Sequence, residues 1–328
     1  MKVSDSAIAR LRAAVESPDL EGSRYHLLDK LGQGGMGGVY RVEDSILGRQ
    51  VAMKVVAVPD STSSLADRLL REAQIIARLE HPGIVPVHDV GTLPDGRVFY
   101  TMKLVQGKRL DAHAAELGTI PERLRLVQKV CDAVGFAHAR GVLHRDLKPQ
   151  NVMVGPFGEV LVMDWGLSKI IREQEATRPS DSSPILSFVS IQDGTSHGSV
   201  LGTPGYMSPE QERGDNTAID ERSDVFSLGA ILQFLARDLA HSANPVARPR
   251  ALTAIIKKAT AVQPSNRYQD VADLSSDLSA YLDGLPVQAY PEGVFVGIWR
   301  WVVRNRVWLL MVLAYLIMRT LLILWRSP

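Results

Sequence analysis

Cysteine is almost missing from this chain. Cys131 is the single one among 328 residues, which excludes an internal disulfide and any cysteine-rich metal site. That fits a reducing compartment. Cys131 itself falls in an apolar helical pattern, the usual setting of a buried structural thiol. Excess charge of one sign is also lacking: the formal net charge is +1, so nothing argues for nucleic acid as a partner. The N-terminus has no apolar signal-peptide core, and Ser4 to Glu16 reads instead as a short amphipathic helix. No repeat or low-complexity period stands out. The length leaves room for about two domains or lobes around a sizeable core.

What is present centres on His144-Arg145-Asp146-Leu147-Lys148-Pro149-Gln150-Asn151, set between a helix-like run (Leu124 to Ala139) and a strand-like run (Val152 to Val154). Phosphoryl transfer needs a carboxylate to orient a hydroxyl and take its proton, a cation near the migrating group, and an oxygen ligand for magnesium. Asp146, Lys148 and Asn151 suit those roles in that order. The string resembles the catalytic loop of protein Ser/Thr kinases, His-Arg-Asp-Leu-x-x-x-Asn.

Upstream, Leu31-Gly32-Gln33-Gly34-Gly35-Met36-Gly37-Gly38-Val39 carries Gly-x-Gly-x-x-Gly-x-Val. Glycines let the backbone approach phosphates, and Val39 can cover a flat base. By itself the motif also suits a dinucleotide fold or a plain hairpin. Strand-like flanks, Tyr25 to Leu31 and Val39 to Val42, favour a strand-turn-strand lid. In Val51-Ala52-Met53-Lys54, one Lys sits amid strand residues, and the next segment, Leu65 to Leu79, is patterned as a helix carrying Glu72. The resemblance pairs Lys54 with Glu72 and aims the ammonium at the α and β phosphates; the alternative for Glu72 is a surface partner at Arg68. Strands are expected over Ile84 to Gly91 and Arg97 to Leu104. By resemblance Met102 is the gatekeeper, Lys103 to Val105 the adenine hinge, and Ala52 and Met153 line the ATP site.

Thr119-Ile120-Pro121-Glu122 opens a helix whose apolar positions Leu124, Val127, Cys131, Val134 and Ala137 share a face. After the loop, Val152 to Val154 and Glu159 to Met163 read as a hairpin delivering Asp164-Trp165-Gly166. That tripeptide resembles the family's Asp-Phe-Gly, which makes Asp164 a magnesium ligand beside Asn151, with Trp in the Phe position. Residues 170 to 201 form a long Ser/Thr-rich stretch, which the resemblance makes an enlarged activation loop. Ser187, Ser190, Thr195, Ser196 and Ser199 are its candidate phosphorylation sites, and Arg145 a candidate partner for such a phosphate. Gly202 to Glu210 resembles the substrate-docking loop and its Ala-Pro-Glu terminus, with Glu210 expected to pair with Arg267 and Asp224 to brace the catalytic loop. Between Asp224 and Arg267 the family usually has about 20 more residues, so substrate docking is expected to differ.

After Pro291 the composition turns apolar. Val307 to Trp325 is long enough, at about 1.5 Å per residue, to approach a bilayer core. Trp299, Trp301, Trp308 and Trp325 are placed as interfacial anchors, while Arg300, Arg304 and Arg306 favour a cytoplasmic N-terminal side. Arg319 opposes this, at about 2.5 to 3.5 kcal/mol near mid-membrane. The expectation is therefore an α+β chain. It has an N-terminal helical extension (1–23), a two-lobed protein kinase fold (24–285) with a β-rich lobe to about residue 106 and a helical lobe beyond, a juxtamembrane linker (286–306) and a transmembrane helix (307–325). It is most similar to membrane-attached, eukaryotic-like Ser/Thr kinases of bacteria. The resemblance implies ATP and Mg2+, protein substrates, membrane lipid as a contact, a cytoplasmic kinase domain on the inner membrane, and a homodimer for trans-autophosphorylation. A membrane-anchored pseudokinase scaffold and a small-molecule phosphotransferase are the alternatives.

Overall fold

Alternation along one strand lays out the first lobe. β1 (Tyr25–Gly34), β2 (Gly37–Asp44), β3 (Arg49–Val56), β4 (Val87–Thr92) and β5 (Val98–Lys103) form an antiparallel sheet in the order β1-β2-β3-β5-β4. Side chains alternate across a strand. Val51, Met53 and Val55 therefore enter a small cluster with Tyr25, Tyr40, Val42, Leu93 and Phe99, on one face. Ala52 and Val56 enter the main core on the other face, together with Leu69, Ala73 and Ile76 of helix α1 (Ser64–Ala77). Burying Leu69 and Ile76 stabilises this contact by about 1.5 to 3 kcal/mol each. Lys54 shares the parity of Ala52 and Val56, so it faces α1. The computed structural model describes residues 17–34, 37–56, 64–165, 169–170, 204–215, 217–237, 250–291, 302 and 305–326.

The strand expected from Ile84 starts only at Val87, because Pro86 has no amide hydrogen for a ladder. Ile84 bridges Val162 instead, and the Val162 N–H donates to the Gly83 carbonyl at 2.8 Å. These contacts join the chain below the sheet to the second lobe.

That lobe begins with β6 (Lys108–Arg109), α2 (Leu110–His113) and α3 (Ile120–Ala139). Thr119 caps α3 with a reciprocal pair: its hydroxyl accepts from the Glu122 N–H, and the Glu122 carboxylate accepts from the Thr119 N–H. Such a cap contributes about 1 kcal/mol. The apolar face read from the sequence is buried, with Leu124, Val127, Cys131, Val134 and Ala137 all in the main core. β7 (Val142–Leu143) pairs with β10 (Lys169–Ile170), while β8 (Val152–Val154) lies between β6 and β9 (Val160–Val162). Gly158, at φ +76°, turns the chain between β8 and β9. Among the described residues the helices that follow are α4 (Pro209–Glu212), α5 (Glu221–Arg237), α6 (Arg250–Ala259), α7 (Val271–Leu282) and α8 (Arg306–Arg326).

The ends depart from expectation. Residues 17–23 turn rather than coil into a helix, and they lie on the sheet: Leu20 packs on the small cluster, and the Ser17 carbonyl accepts from Arg97 at 2.5 Å. The helix expected over Ser4 to Glu16 lies outside the described residues. Residues 286–290, expected to belong to a linker, fold back on α7, because the buried Asp277 carboxylate accepts from the Gln288 and Ala289 N–H groups at 2.7 and 2.9 Å. α8 is continuous, with exposed apolar side chains on all sides from Trp308 to Met318. Among the described residues no helix is long and apolar enough to cross a membrane. Arg319 interrupts the apolar run, and the side chains of 320–324 lie outside the described residues.

Glu210 and Arg267 meet as expected, with two parallel bonds of 2.7 and 2.8 Å, and both side chains are buried. Burial works against the Glu210 charge, but the bonds from Arg267 and Ser223 outweigh it and hold its pKa down at about 2. A carboxylate lowered in this way contributes stability above its unfolded pKa that is lost as pH falls. Removing Arg267 leaves a buried, uncompensated carboxylate. Arg267→Ala is therefore expected to lower unfolding free energy by about 3 to 5 kcal/mol in urea titrations near neutrality. The deficit should shrink as pH falls from about 4.5 towards 2, and a variant as stable as the parent would contradict this.

Candidate active site

Parity put Lys54 opposite α1, and the side chains meet there. Lys54 Nζ donates to both Glu72 carboxylate oxygens, at 2.7 and 2.9 Å, and to Asp164 Oδ1 at 3.2 Å. The alternative partner for Glu72, Arg68, has a side chain outside the described residues. Burial opposes the Lys54 charge, but Glu72 first and Asp164 second outweigh it, so its pKa stands above the usual value. At Asp164 burial is likewise outweighed, mainly by Lys54, and its pKa is lowered. The cation and this carboxylate thus both remain charged near neutrality.

The catalytic string runs beneath. Lys148 Nζ donates to Asp146 Oδ2 at 2.7 Å, and Asn151 Nδ2 donates to the Asp146 carbonyl at 2.8 Å and to Oδ2 at 3.1 Å. The Met163 N–H donates to the Asn151 carbonyl at 2.9 Å, which ties this loop to the segment carrying Asp164. His144 joins the same segment. Its Nδ1 accepts from the Asp146 N–H, so Nε2 carries the hydrogen and donates to the Met163 carbonyl at 3.0 Å.

Arg145 and Asp164 are the two described non-glycine residues with positive φ, at 68° and 62°. Each costs about 1 to 2 kcal/mol of backbone strain. At Arg145 the surroundings hold it. Asp224 accepts from the His144 and Arg145 N–H groups at 2.9 Å each, and Gln211 Nε2 donates to the Arg145 carbonyl at 2.7 Å. His138 Nε2 lies 2.7 Å from Asp224 Oδ2, and burial of this carboxylate is outweighed chiefly by His138, which lowers its pKa. The brace expected of Asp224 is therefore built from backbone N–H groups.

Residues 25–285 match the family model described as the protein kinase domain. This chain belongs to the protein kinase family. It is 33% identical over 297 residues to the serine/threonine-protein kinase PknD of Chlamydia caviae, covering 80% of this chain and 32% of that protein. Identity to PknD of Chlamydia trachomatis serovar D is 34% over 302 residues, with the same coverage. The chain thus spans about a third of the length of the curated relatives it matches. Among solved structures, the PknI kinase domain of Mycobacterium tuberculosis superposes with a TM-score of 0.54 at 26% identity, covering 78% of this chain and 95% of that one. The fold is the two-lobed protein kinase fold, with a sheet-rich first lobe and a helical second one.

Within this kinase domain the other predicted positions are distributed over β1 to β3, β5, the segment after it, β8 and Trp165. β1 and β2 pair up to Gly34 and Gly37, so the glycine motif is a strand-turn-strand lid; Gly35 and Met36 lie outside the described residues. Leu31 is exposed beside Gly32, Val39 is half-buried, and Ala52 is buried opposite Met102 in the β3–β5 register. Lys103 ends β5, its N–H bound to the Pro86 carbonyl, and Val105 is half-buried after it. Met153 is half-buried in β8. Trp165 is fully buried, its indole N–H aimed at the Val162 carbonyl at 3.4 Å and its ring 4.6 Å from His144. Ser187, Ser190, Thr195, Ser196 and Ser199 lie outside the described residues.

The donor set fits magnesium. Asn151 spends its amide nitrogen on Asp146, which leaves the amide oxygen as its ligating atom, and the Asp164 side chain is half-exposed beside Lys54. Two oxygen donors with phosphates supplying the rest is how this hard cation is usually held. Among the described residues no cluster of three or more His, Cys, Asp or Glu could hold a metal by itself.

Sequence reasoning missed Gln211, His138 and Tyr100. Gln211 follows directly on Glu210, and His138 lies in the last turn of α3 with its partner in α5, so neither spacing reveals the contact. Tyr100 had a visible signal: it has the parity of Met102, which faces the cleft. Asp224→Ala is expected to loosen the loop without touching β3 or the glycine lid. Steady-state kinetics should show phosphoryl transfer slowed by about 100-fold with KM for ATP changed less than about threefold. An equal fall in ATP affinity would contradict a brace confined to the loop.

Proposed function

We propose that this chain is an ATP-dependent protein serine/threonine kinase, transferring the γ-phosphoryl group in line to Ser or Thr hydroxyls of proteins. The observation that carries this reading is the complete polar set: Lys54 on Glu72, Asp164 within reach of Lys54, and Asp146 tied to Lys148 and Asn151. Asp146 orients the acceptor hydroxyl and takes its proton as the new O–P bond forms and the bond from the γ phosphorus to the β–γ bridging oxygen breaks, releasing ADP. Lys54 neutralises the α and β phosphates, and Lys148 the migrating group. Asn151 and Asp164 would hold magnesium, which would supply positive charge to screen the phosphates. Leu31, Gly32, Gly34, Gly37, Val39 and Ala52 cover the nucleotide, and Lys103 to Val105 meet the adenine edge through their backbone. Lys148 and the Gly202 to Glu210 loop favour Ser/Thr proteins over Tyr or small molecules.

Regulation would follow by autophosphorylation in the stretch 170–201, with Arg145 receiving the phosphate, and a homodimer would supply the second copy for transfer in trans. The pseudokinase scaffold has no lost residue in its favour. Attachment to the inner membrane through Val307 to Trp325, with the kinase domain on the cytoplasmic side, is supported by the exposed apolar side chains from Trp308 to Met318 and by the arginines preceding them.

Two experiments test these readings. The purified full chain, given labelled ATP and magnesium, should incorporate phosphate on Ser or Thr between 170 and 201, mapped by mass spectrometry. Asp146→Ala and Lys54→Ala should abolish the label; label that survives both would sink the mechanism. In cell fractionation the full chain should stay in the membrane pellet after alkaline carbonate extraction, while a chain ending at residue 290 should move to the supernatant. Release of both would refute the anchor.

A further inference from the structure

The Lys54–Glu72 pair has a third member. Tyr100 stands opposite Lys54 in the β3–β5 register, and its hydroxyl donates to Glu72 Oε1 at 2.8 Å. Tyr100 is 1% exposed and Glu72 2%. Glu72 Oε1 therefore accepts from Lys54 and Tyr100 together, while among the described residues Oε2 accepts from Lys54. Resting on the kinase reading above, we propose that Tyr100 is a positioning residue: its hydroxyl holds the Glu72 carboxylate, and with it helix α1, in the arrangement that presents Lys54 to ATP.

The physical reason is the shared donor. Lys54 divides its hydrogens between Glu72 and Asp164. Bound phosphates would draw on the same ammonium, and Glu72 must then keep its place while buried from bulk solvent. A buried carboxylate with too few donors is costly. Without the tyrosine hydroxyl, two responses relieve that cost: Glu72 holds Lys54 more tightly, away from the phosphates, or α1 swings outward and wets the carboxylate. Tyr100 prevents both, because it sits on a central strand and cannot follow α1. Burial and the Glu72 charge keep the phenol well above its usual pKa, so it remains a donor over the whole working pH range. Phenylalanine would fill the same space without the hydrogen bond.

The test is a double-mutant cycle on the full chain, comparing Tyr100→Phe, Glu72→Gln and the pair. Two readouts are taken: kcat and KM for ATP, and amide hydrogen exchange of the α1 segment without nucleotide. Tyr100→Phe should lower kcat/KM for ATP by about 10-fold or more and speed α1 exchange by a similar factor. In the Glu72→Gln background the same change should alter either quantity by less than about twofold. A loss of equal size in both backgrounds would make Tyr100 a packing residue and overturn the proposal, as would no change from Tyr100→Phe in either readout. If the parent chain transfers no phosphate, the kinase reading fails separately, and the exchange cycle still decides the role of Tyr100.

Discussion

A single buried carboxylate sets the geometry on which the catalytic loop depends. Asp224 projects from the first turn of α5, accepts two backbone N–H groups from His144 and Arg145, and is joined by His138 from α3. Backbone N–H groups report the path of the chain directly, so this contact sets where the loop runs as well as what surrounds it. It compensates the left-handed conformation of Arg145, which no neighbouring residue in the sequence would favour. Asp146, Lys148 and Asn151 follow, tied to one another by hydrogen bonds, and the Met163–Asn151 bond carries the same order to the segment of Asp164.

The second lobe is thus pinned by charge buried in its interior, and Glu210 with Arg267 repeats the device. Buried pairs of this kind add little net stability over a well-packed apolar alternative, since desolvation offsets most of the attraction. Their effect is directional. Each one forbids nearby arrangements that would leave a charge unpaired, and both lie at points where loops, rather than helices or strands, must be held.

The first lobe works differently. Its charged pair, Lys54 with Glu72, joins a strand to a helix across the cleft face of the sheet, and Lys54 also reaches the second lobe at Asp164. The small cluster on the opposite sheet face keeps β3 flat against β2 and β5, so that parity alone aims Lys54. Residues 17–20 are fastened to the same sheet through Arg97 and Leu20, which makes the lead-in part of the lobe.

By itself the amino-acid sequence determined the two-lobed kinase fold, the strand-turn-strand lid, the capped helix over Ile120 to Ala139, and the polar residues of the cleft. The lid and the helix were legible from local order, strand-like flanks about the glycines and period 3.6 along α3, while the two-lobed fold was read through the likeness of strings such as His144 to Asn151 to kinases. The pairings Lys54–Glu72 and Glu210–Arg267 were legible only through the likeness to kinases, since no spacing predicts them. Only the tertiary structure decided that Tyr100 shares Glu72, that Gln211 and His138 support the loop, and that residues 286–290 fold onto Asp277 instead of leading away. The physical reason is the same in each case. These are single hydrogen bonds between segments distant in sequence, set by strand register and helix packing, and they leave no periodic trace in the chain that makes them.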